Sequence, residues 1–295
     1  MTDDAGTGRR LRFGLTGTEG GPAQQVELAR EAERAGWDGF FTWDAISIGA
    51  WETWAPWQIL AAVAQATERL TLGAVVFAPG RRLPWEVARD VLTLDHLSAG
   101  RLVVPVGLGV PDDAAFTRVR GQGRTARDRA RLLDECLDFL DRAFTGETFT
   151  FEGTDRGIAD VQFLPLPVQR PRPPVWVVGA WPSDRSMARA ARKDGALLQR
   201  LGGGDPMTPS DVADAVAWVR QRRAELAGTG ELAEPGAFDV VLDGALPTDP
   251  AEREDRVAAL AEAGLTWWTE SRWQPRPPFE ELLDAARGGP PAGPR

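Results

Sequence analysis

Asp44, Arg200 and Glu270 sit at or beside the ends of three apolar runs, "GFFTWD", "GALLQR" and "LTWWTES". Two carboxylates and a guanidinium so placed can move a proton or polarise a carbonyl. As a carboxylate pair in a tryptophan-rich cleft, Asp44 and Glu270 read as a glycoside hydrolase. Trp43, Trp51, Trp54, Trp57, Trp181 and Trp273 fall at or just after such run ends. Indoles there suit a large flat ligand by stacking, and the plain alternative for each is rim packing. The stretch "VVGAWPSDRS" (177–186) offers other chemistry. Gly179 lets the backbone approach a ligand, and Ser183 can cap a following helix whose outward N–H groups suit a phosphate. An ordinary capped turn reads the same way.

Other chemistries are poorly represented. His96 is the only histidine and lies in "TLDHLSAGRL", late in a helical pattern. It reads as a solvated helical residue near a C-terminal dipole. Cys136, the only cysteine, shares a face with Leu133, Leu137 and Leu140 in "RLLDECLDFL" and reads as core; no internal disulfide is possible. Triad catalysis and metal hydrolysis lack their residues. Lys193 is the only lysine and sits in the charged run "MARAARKDG", which disfavours a Schiff base. A net charge of −9 argues against nucleic acid as partner. No run approaches the roughly 18 apolar residues of a membrane span, and "MTDDAGTGRRLRFG" has no signal-like apolar stretch. The expectation is a soluble cytoplasmic protein.

The elements that hold these residues alternate. Strand candidates are 11–18, 39–44, 70–78, 101–109, 174–180, 195–200, 238–244 and 265–271. Several are continuously apolar, as in parallel strands buried on both faces. Pro22, Pro84, Pro209 and Pro250 mark first helical residues, Thr208 and Asp249 their caps, and Gly36, Gly100, Gly146 and Gly264 their ends. In the helix from Pro84, Val87, Val91, Leu94 and Leu97 share one face. Eight strands each followed by a helix imply an α/β (β/α)8 TIM barrel; an open doubly wound sheet is the runner-up. The reading is a flexible start (1–10), one barrel (11–284) and a flexible tail (285–295). A polar loop (109–128) follows strand four, and an extended insertion (146–174) separates helix four from strand five. Barrel sites form at strand carboxyl ends. Those ends carry Gly17, Thr18, Trp43, Asp44, Val75 to Phe77, Gly107 to Gly109, Gly179 to Trp181, Gln199, Arg200, Asp243 and Glu270 to Arg272.

One stretch is specific. "ATERLTLGAVVFAPGRRLPWEVARDVLTLDHLSAGRLVVPVGLG" (66–109) holds a Thr-x-Arg-x-x-Leu-Gly strand and an Arg-x-x-Pro helix start. It continues through Thr-Leu-Asp-x-Leu-Ser-x-Gly-Arg to a Gly-x-Gly strand end. Together with "LAREAERAGWDGFFTWD", "RTARDRARLLDECLDFL", "FLPLPVQRPRPPVWVVGAW" and "ARAARKDGA", it resembles the luciferase-like monooxygenases, flavin- or F420-dependent (β/α)8 barrels, over about residues 11–270.

The resemblance implies a flavin-type ring against a bulge with a non-proline cis peptide near Val75–Val76. Gly107 and Gly109 would line the ring's edge, and the phosphate would lie near Gly179, Ala180, Trp181 and Ser183. Trp43, Trp51 and Trp273 are the substrate-side candidates. Many members carry a histidine after the strand-two acid, where this chain has Ala45. Proton handling then falls to Asp44, Glu270 or Arg200. FMN with oxygen would give oxygenation of a small organic substrate, and coenzyme F420 would give hydride transfer. FMN is the first reading, F420 the second, and a flavin-binding barrel without turnover a third. No G-x-G-x-x-G fingerprint follows a strand, so reduced FMN would come from a separate flavin reductase. The resemblance also implies a homodimer.

Overall fold

The structure, a computed structural model, describes residues 10–118, 125–232 and 236–291. Residues 1–9 of the expected flexible start, 292–295 of the expected tail and 119–124 of the 109–128 loop lie outside the described residues. In chain order the elements are β1 (Arg12–Thr16), α1 (Pro22–Arg34), β2 (Gly39–Thr42), α2 (Pro56–Ala66), β3 (Thr71–Ala74), α3 (Pro84–Leu97) and β4 (Val104–Val106). There follow α4 (Ala114–Thr117), α5 (Ala126–Ala143), β5 (Phe149–Glu152), β6 (Gly157–Val161), β7 (Val175–Trp181) and α6 (Asp184–Ala191). The last are β8 (Gly195–Arg200), α7 (Pro209–Gly228), β9 (Asp239–Gly244), α8 (Pro250–Glu262), β10 (Trp267–Glu270) and α9 (Phe279–Gly288). With α4, β5 and β6 set aside, eight strands each precede a helix, the order of a (β/α)8 barrel. The last helix runs four residues into the stretch read as a tail.

Local chemistry sets these boundaries. Proline stands first in α1, α3, α7 and α8, and also in α2, where its missing N–H costs nothing. Thr208 and Asp211 form a full capping box on α7; Thr125 and Asp128 form another on α5. Leu97 departs from expectation: it is exposed at the end of α3, while Val87, Val91 and Leu94 are buried.

The chain divides into two compact units. The first comprises the residues up to Thr18, then Glu31–Phe41, then everything from Val175 onward. Its strands hydrogen-bond in the order β2-β1-β10-β9-β8-β7, all parallel. Phe41, Trp176 and Trp267 cluster with ring centroids 5.6–6.0 Å apart. Two glycines make room for them: a Cβ on Gly14 would lie 2.5 Å from Phe41, and one on Gly195 would lie 2.5 Å from Trp176. Arg12 stacks over Trp267 at 4.4 Å and pairs with Asp239 at 2.6 Å, closing the cluster below.

The second unit comprises Glu19–Arg30 and Thr42–Pro174. Here β3 and β4 meet through parallel bridges Leu72↔Leu102 and Phe77↔Val106. Five steps on one side match four on the other, so β3 bulges by one residue. The 146–174 insertion contains a hairpin, β5–β6, that the sequence did not reveal. Its Phe149 and Phe151 pack edge-on against Phe139 of α5, both at 5.2 Å. The rest of the insertion is strapped to α3. Buried Asp95 accepts the N–H groups of Val168 (2.6 Å) and Gln169 (3.2 Å), and exposed His96 meets the Leu166 carbonyl through Nε2 at 2.9 Å. Thus His96 fastens the strap. Cys136 is buried in α5, as expected.

The Asp-x-Leu-Ser-x-Gly-Arg stretch is structural. The Arg101 guanidinium donates to the carbonyls of Ser98, Leu70, Ala64 and Thr67 and to Thr67 Oγ1, at 2.8–3.1 Å. A lysine cannot span acceptors so dispersed. Arg101→Lys is expected to lower stability by about 2–3 kcal/mol, since carbonyls lose their donors. Urea denaturation checks this; an unchanged midpoint contradicts it.

Candidate active site

Registered neighbours in a parallel sheet face the same way, and residues two apart share a face. In the first unit this sorts the candidates. The face bearing Phe41, Trp176 and Trp267 also bears Gly14, Thr16, Thr269, Val241, Asp243, Leu197, Val178 and, by alternation, Ala180 and Gln199. The opposite face lies against helices: a Cβ on Gly179 would sit 2.9 Å from Met187 Sδ of α6. The lower layers of the aromatic face are closed. Towards the carboxyl ends, Val178, Ala180 and Asp243 are half-buried and Gln199 is exposed. That end of that face is its less covered part.

Several expected site residues lie elsewhere. Glu270 is on the helix side with Trp268. It accepts from Trp268 Nε1 (3.2 Å), the Leu246 N–H (3.1 Å) and Arg272 Nε (3.3 Å), so it holds the 244–246 turn. Arg200 also turns to the helix side, where it pairs with Asp211 of α7 at 2.5 Å and donates to the Asp205 carbonyl at 3.1 Å. Gly179 is a glycine because Met187 needs the space. Trp181 shares its face by alternation. Ala180 does reach the open face, but its N–H goes to Ser186 Oγ at 2.9 Å and is not left for a phosphate. Ser183 occupies the cap position of α6 without a side-chain cap. The first-turn amides of α6 therefore lack the acceptor that Thr125 and Thr208 supply to α5 and α7.

Two polar groups at these strand ends were not singled out as candidates. Asp243 accepts from Trp273 Nε1 at 3.1 Å, which also explains Trp273. Removal from water pushes the Asp243 carboxyl above the ordinary range; the Trp273 indole and its own backbone amide oppose this. Thr18, two residues past β1, has a buried Oγ1 with no hydrogen-bond partner among the described residues. Such an atom calls for a ligand or water. Ser271 nearby donates to Thr16 Oγ1 at 2.7 Å.

In the second unit the Val75–Val76 peptide is cis, at the β3 bulge where the resemblance placed it. Both valines are half-buried, between the buried segments Leu72–Ala74 and Phe77–Gly80. They present an uncovered apolar strip. Phe77 stacks on Trp57 at 4.0 Å beside it. Gly107 is buried and donates its N–H to the Phe77 carbonyl at 3.0 Å. Gly109 has φ 76°, and a Cβ there would strike Phe116 at 2.4 Å, so packing alone demands a glycine.

Asp44 is not a free base. Arg81 and Arg82 both pair with it, Arg82 through bonds of 2.6 and 3.0 Å, and the Ala78 N–H donates at 3.0 Å. Arg81 continues to Asp113 at 2.9 Å. Asp113 is fully buried, caps α4, and accepts the Ile46 and Ser47 amides at 3.1–3.2 Å. The network joins the end of β2, the segment after the bulge and the 108–113 turn. Removing one partner from such a buried set costs roughly 3–5 kcal/mol. With Asp44 saturated and Glu270 on the helix side, the carboxylate-pair reading loses both its members. Ala45, in the histidine slot, is buried. Trp43 and Trp51 meet edge to face at 6.0 Å, beside exposed Ile46 and Trp54.

The family model of luciferase-like monooxygenases matches residues 10–286. The chain belongs to the luciferase-like monooxygenase family. Limonene 1,2-monooxygenase of Rhodococcus erythropolis is 34% identical over 128 residues, which are 43% of this chain. The match spans only 32% of that protein's length. Among solved structures, the monooxygenase RslO1 from Streptomyces bottropensis is similar with a TM-score of 0.75 at 20% identity, covering 94% of this chain and 97% of that one. An F420-dependent secondary alcohol dehydrogenase, in complex with an F420–acetone adduct, gives 0.74 at 16%, covering 94% and 99%. These structural matches show the fold, the α/β barrel of this family. Among the described residues there is no metal-ligand cluster and no helix long and apolar enough to cross a membrane.

In the second unit the Val75–Val76 strip is apolar surface of the kind that suits a ring face. In the first unit, taken by itself, the buried Thr18 hydroxyl lacks a hydrogen-bond partner among the described residues and the first turn of α6 lacks a side-chain cap, features that suit polar or anionic groups. Exposed Asp184 in that first turn works against an anion; the next residue, Arg185, is also exposed. Asp243 adds a pH signature. Its folded pKa is raised, so the native state binds more protons than the unfolded state between about pH 4 and that pKa, and stability falls as pH rises through the window. Asp243→Asn keeps the acceptor for Trp273 and removes this loss. The variant is expected to gain stability over the parent at neutral pH and to match it below about pH 4. Thermal melts across pH check this; a constant difference contradicts it.

Proposed function

We propose that the protein is an FMN-dependent monooxygenase of small, uncharged, largely apolar organic molecules. Family membership supports the monooxygenase class. The observation that carries the cofactor reading is the half-exposed Val75–Val76 strip, apolar surface left uncovered between buried neighbours. When bound, reduced flavin supplies the electrons and activates oxygen. The chain's part is to bind, orient and exclude water. Val75 and Val76 give the ring an apolar floor, with Gly107 and Gly109 beside it. The first turn of α6, from Ser183, takes the phosphate. The Asp44–Arg81–Asp113 network keeps the loop after β2 in place, so that Trp43 and Trp51 present indole surface to an apolar substrate. A separate reductase delivers the reduced flavin, and the working unit is a homodimer. F420 is the second reading, supported by the similar alcohol dehydrogenase, and it changes the reaction to hydride transfer.

Titration of the purified protein with oxidised FMN, reduced FMN and F420, followed by quenching of its 12 tryptophans, tests the assignment. The expected result is saturable binding of FMN, tightest when reduced, weakened at least tenfold by Val76→Asp; tenfold is about 1.4 kcal/mol. Saturable binding of F420 with none of FMN replaces the first reading by the second. Binding of FMN with no oxygen consumption on supply of a reductase makes the protein a carrier instead.

A further inference from the structure

The segment between β2 and α2 has the wrong composition for a solvent-facing loop. Residues 45–55, "AISIGAWETWA", hold two isoleucines, two tryptophans and a single charge, Glu52. Connecting segments over a surface are ordinarily polar, and large apolar side chains gathered in water mark contact sites. Among the described residues seven large apolar side chains are exposed, and Ile46, Trp54 and Val110 are three of them. Hydrogen bonds tie these three to one place in the second unit. The buried Asp113 carboxylate accepts the Ile46 N–H at 3.1 Å, and the Asp113 N–H donates to the Val110 carbonyl at 3.1 Å. The Thr53 hydroxyl donates to the Ile46 carbonyl at 2.9 Å, which sets Trp54 beside it. Trp54 leans on the start of α1, where a Cβ on Gly21 would lie 4.0 Å from its Cζ2. Asp113 also pairs with Arg81, so the loop cannot turn its apolar side chains inward without breaking a buried ion pair. The exposed charges of residues 45–55 and 108–117 are Glu52 and Asp112, both acidic. Arg81 and Arg82 are taken by Asp44 and Asp113, and Arg118 lies beyond, at the end of α4.

We propose that Ile46, Trp54 and Val110 form the surface that receives the hydrocarbon part of an uncharged substrate, and that Glu52 and Asp112 beside it turn away carboxylate-bearing analogues. This rests on the preceding reading that the substrate is small, uncharged and apolar, and it names the residues that select it. The three side chains sit on the loops after β2 and β4, at strand carboxyl ends where barrel sites form, and the first of these loops also carries Trp51. A hydrocarbon gains by leaving water in proportion to the apolar area it covers, about three- to fourfold in affinity for each methylene. The charges then decide between solutes of equal chain length. An acidic solute or an anionic lipid surface needs cations, and both exposed charges here are negative. A second copy of the chain fits no better. A two-fold contact through this patch would set Glu52 and Asp112 against their own kind, with no exposed cation in either segment to answer them.

Calorimetric titration of the purified full chain with hexan-1-ol, octan-1-ol, decan-1-ol and decanoate tests this without turnover. The alkanols are expected to bind saturably, with affinity rising about threefold per methylene, and decanoate to bind about threefold or more weaker than decan-1-ol at low ionic strength. Ile46→Ser combined with Val110→Ser is expected to weaken decan-1-ol about tenfold and to leave FMN affinity within about twofold. Leu201→Ser, which removes an equally exposed apolar side chain from the first unit, should change neither. Glu52→Lys combined with Asp112→Lys should bring decanoate level with decan-1-ol, whose own affinity stays as it was. Equal decan-1-ol affinity in the parent and in the Ile46→Ser, Val110→Ser protein, with FMN binding intact, overturns this surface alone. Absence of alkanol binding overturns it as well, and a change of oligomeric state in that double variant by sedimentation velocity then makes the patch a protein interface. Failure to bind FMN or F420, with the alkanol selection as expected, overturns the cofactor reading and leaves this surface standing.

Discussion

A parallel strand sends successive side chains to opposite faces, and in this protein that alternation decides what can be functional. The six-stranded sheet of the first unit has one face filled by Phe41, Trp176 and Trp267 and another covered by helices. Among the described residues, exposure on the aromatic face rises towards its carboxyl end, at Val178, Ala180, Gln199 and Asp243. A residue at a strand end therefore belongs to the site or to the scaffold according to its parity. Glu270 and Thr269 are neighbours in sequence and lie on different sides of the sheet.

The second unit meets a different demand, the fixing of irregular backbone. The β3 bulge, the turn after it and the loops after β2 and β4 have few ladder bonds to hold them. Buried ions take over. Asp44 and Asp113 between them collect two guanidinium groups and several backbone amides. Burying charges is costly unless each is paired and its remaining lone pairs are filled, as they are here. A carboxylate so employed has no spare capacity for proton transfer. Ala45 is buried where many members of the family carry a histidine, and the loop after β2 is thus a positioned wall.

Much of this was legible in the sequence. Seven of the eight barrel strands fell within the expected segments and the other, β7, overran its segment by one residue, because long apolar runs bounded by proline and glycine leave little choice. The cis bulge at Val75–Val76 followed from the resemblance. The hairpin Phe149–Val161 was missed because its four- and five-residue strands sit among glycines and charges. Which of Asp243, Glu270, Gln199 and Arg200 share a face could not be read from the sequence, for a physical reason. Parallel strands buried on both faces are apolar throughout, so their composition does not betray which face is which. Gly179 shows the same limit: from sequence a glycine before a helix suggests a ligand, and in the fold it makes room for Met187. Asp44 looked free because Arg81 and Arg82 lie 37 and 38 residues away.

The central claim is that the ligand enters at the open end of the aromatic face. Two substitutions on opposite sides of the sheet test it most directly, Ala180→Phe and Glu270→Gln, with FMN affinity measured by equilibrium dialysis and folding confirmed by thermal melts. The account predicts that the ring at position 180 blocks binding while loss of the Glu270 charge leaves affinity within about twofold, a difference under 1 kcal/mol. Undiminished binding to a folded Ala180→Phe protein, with affinity lost in Glu270→Gln, would contradict it.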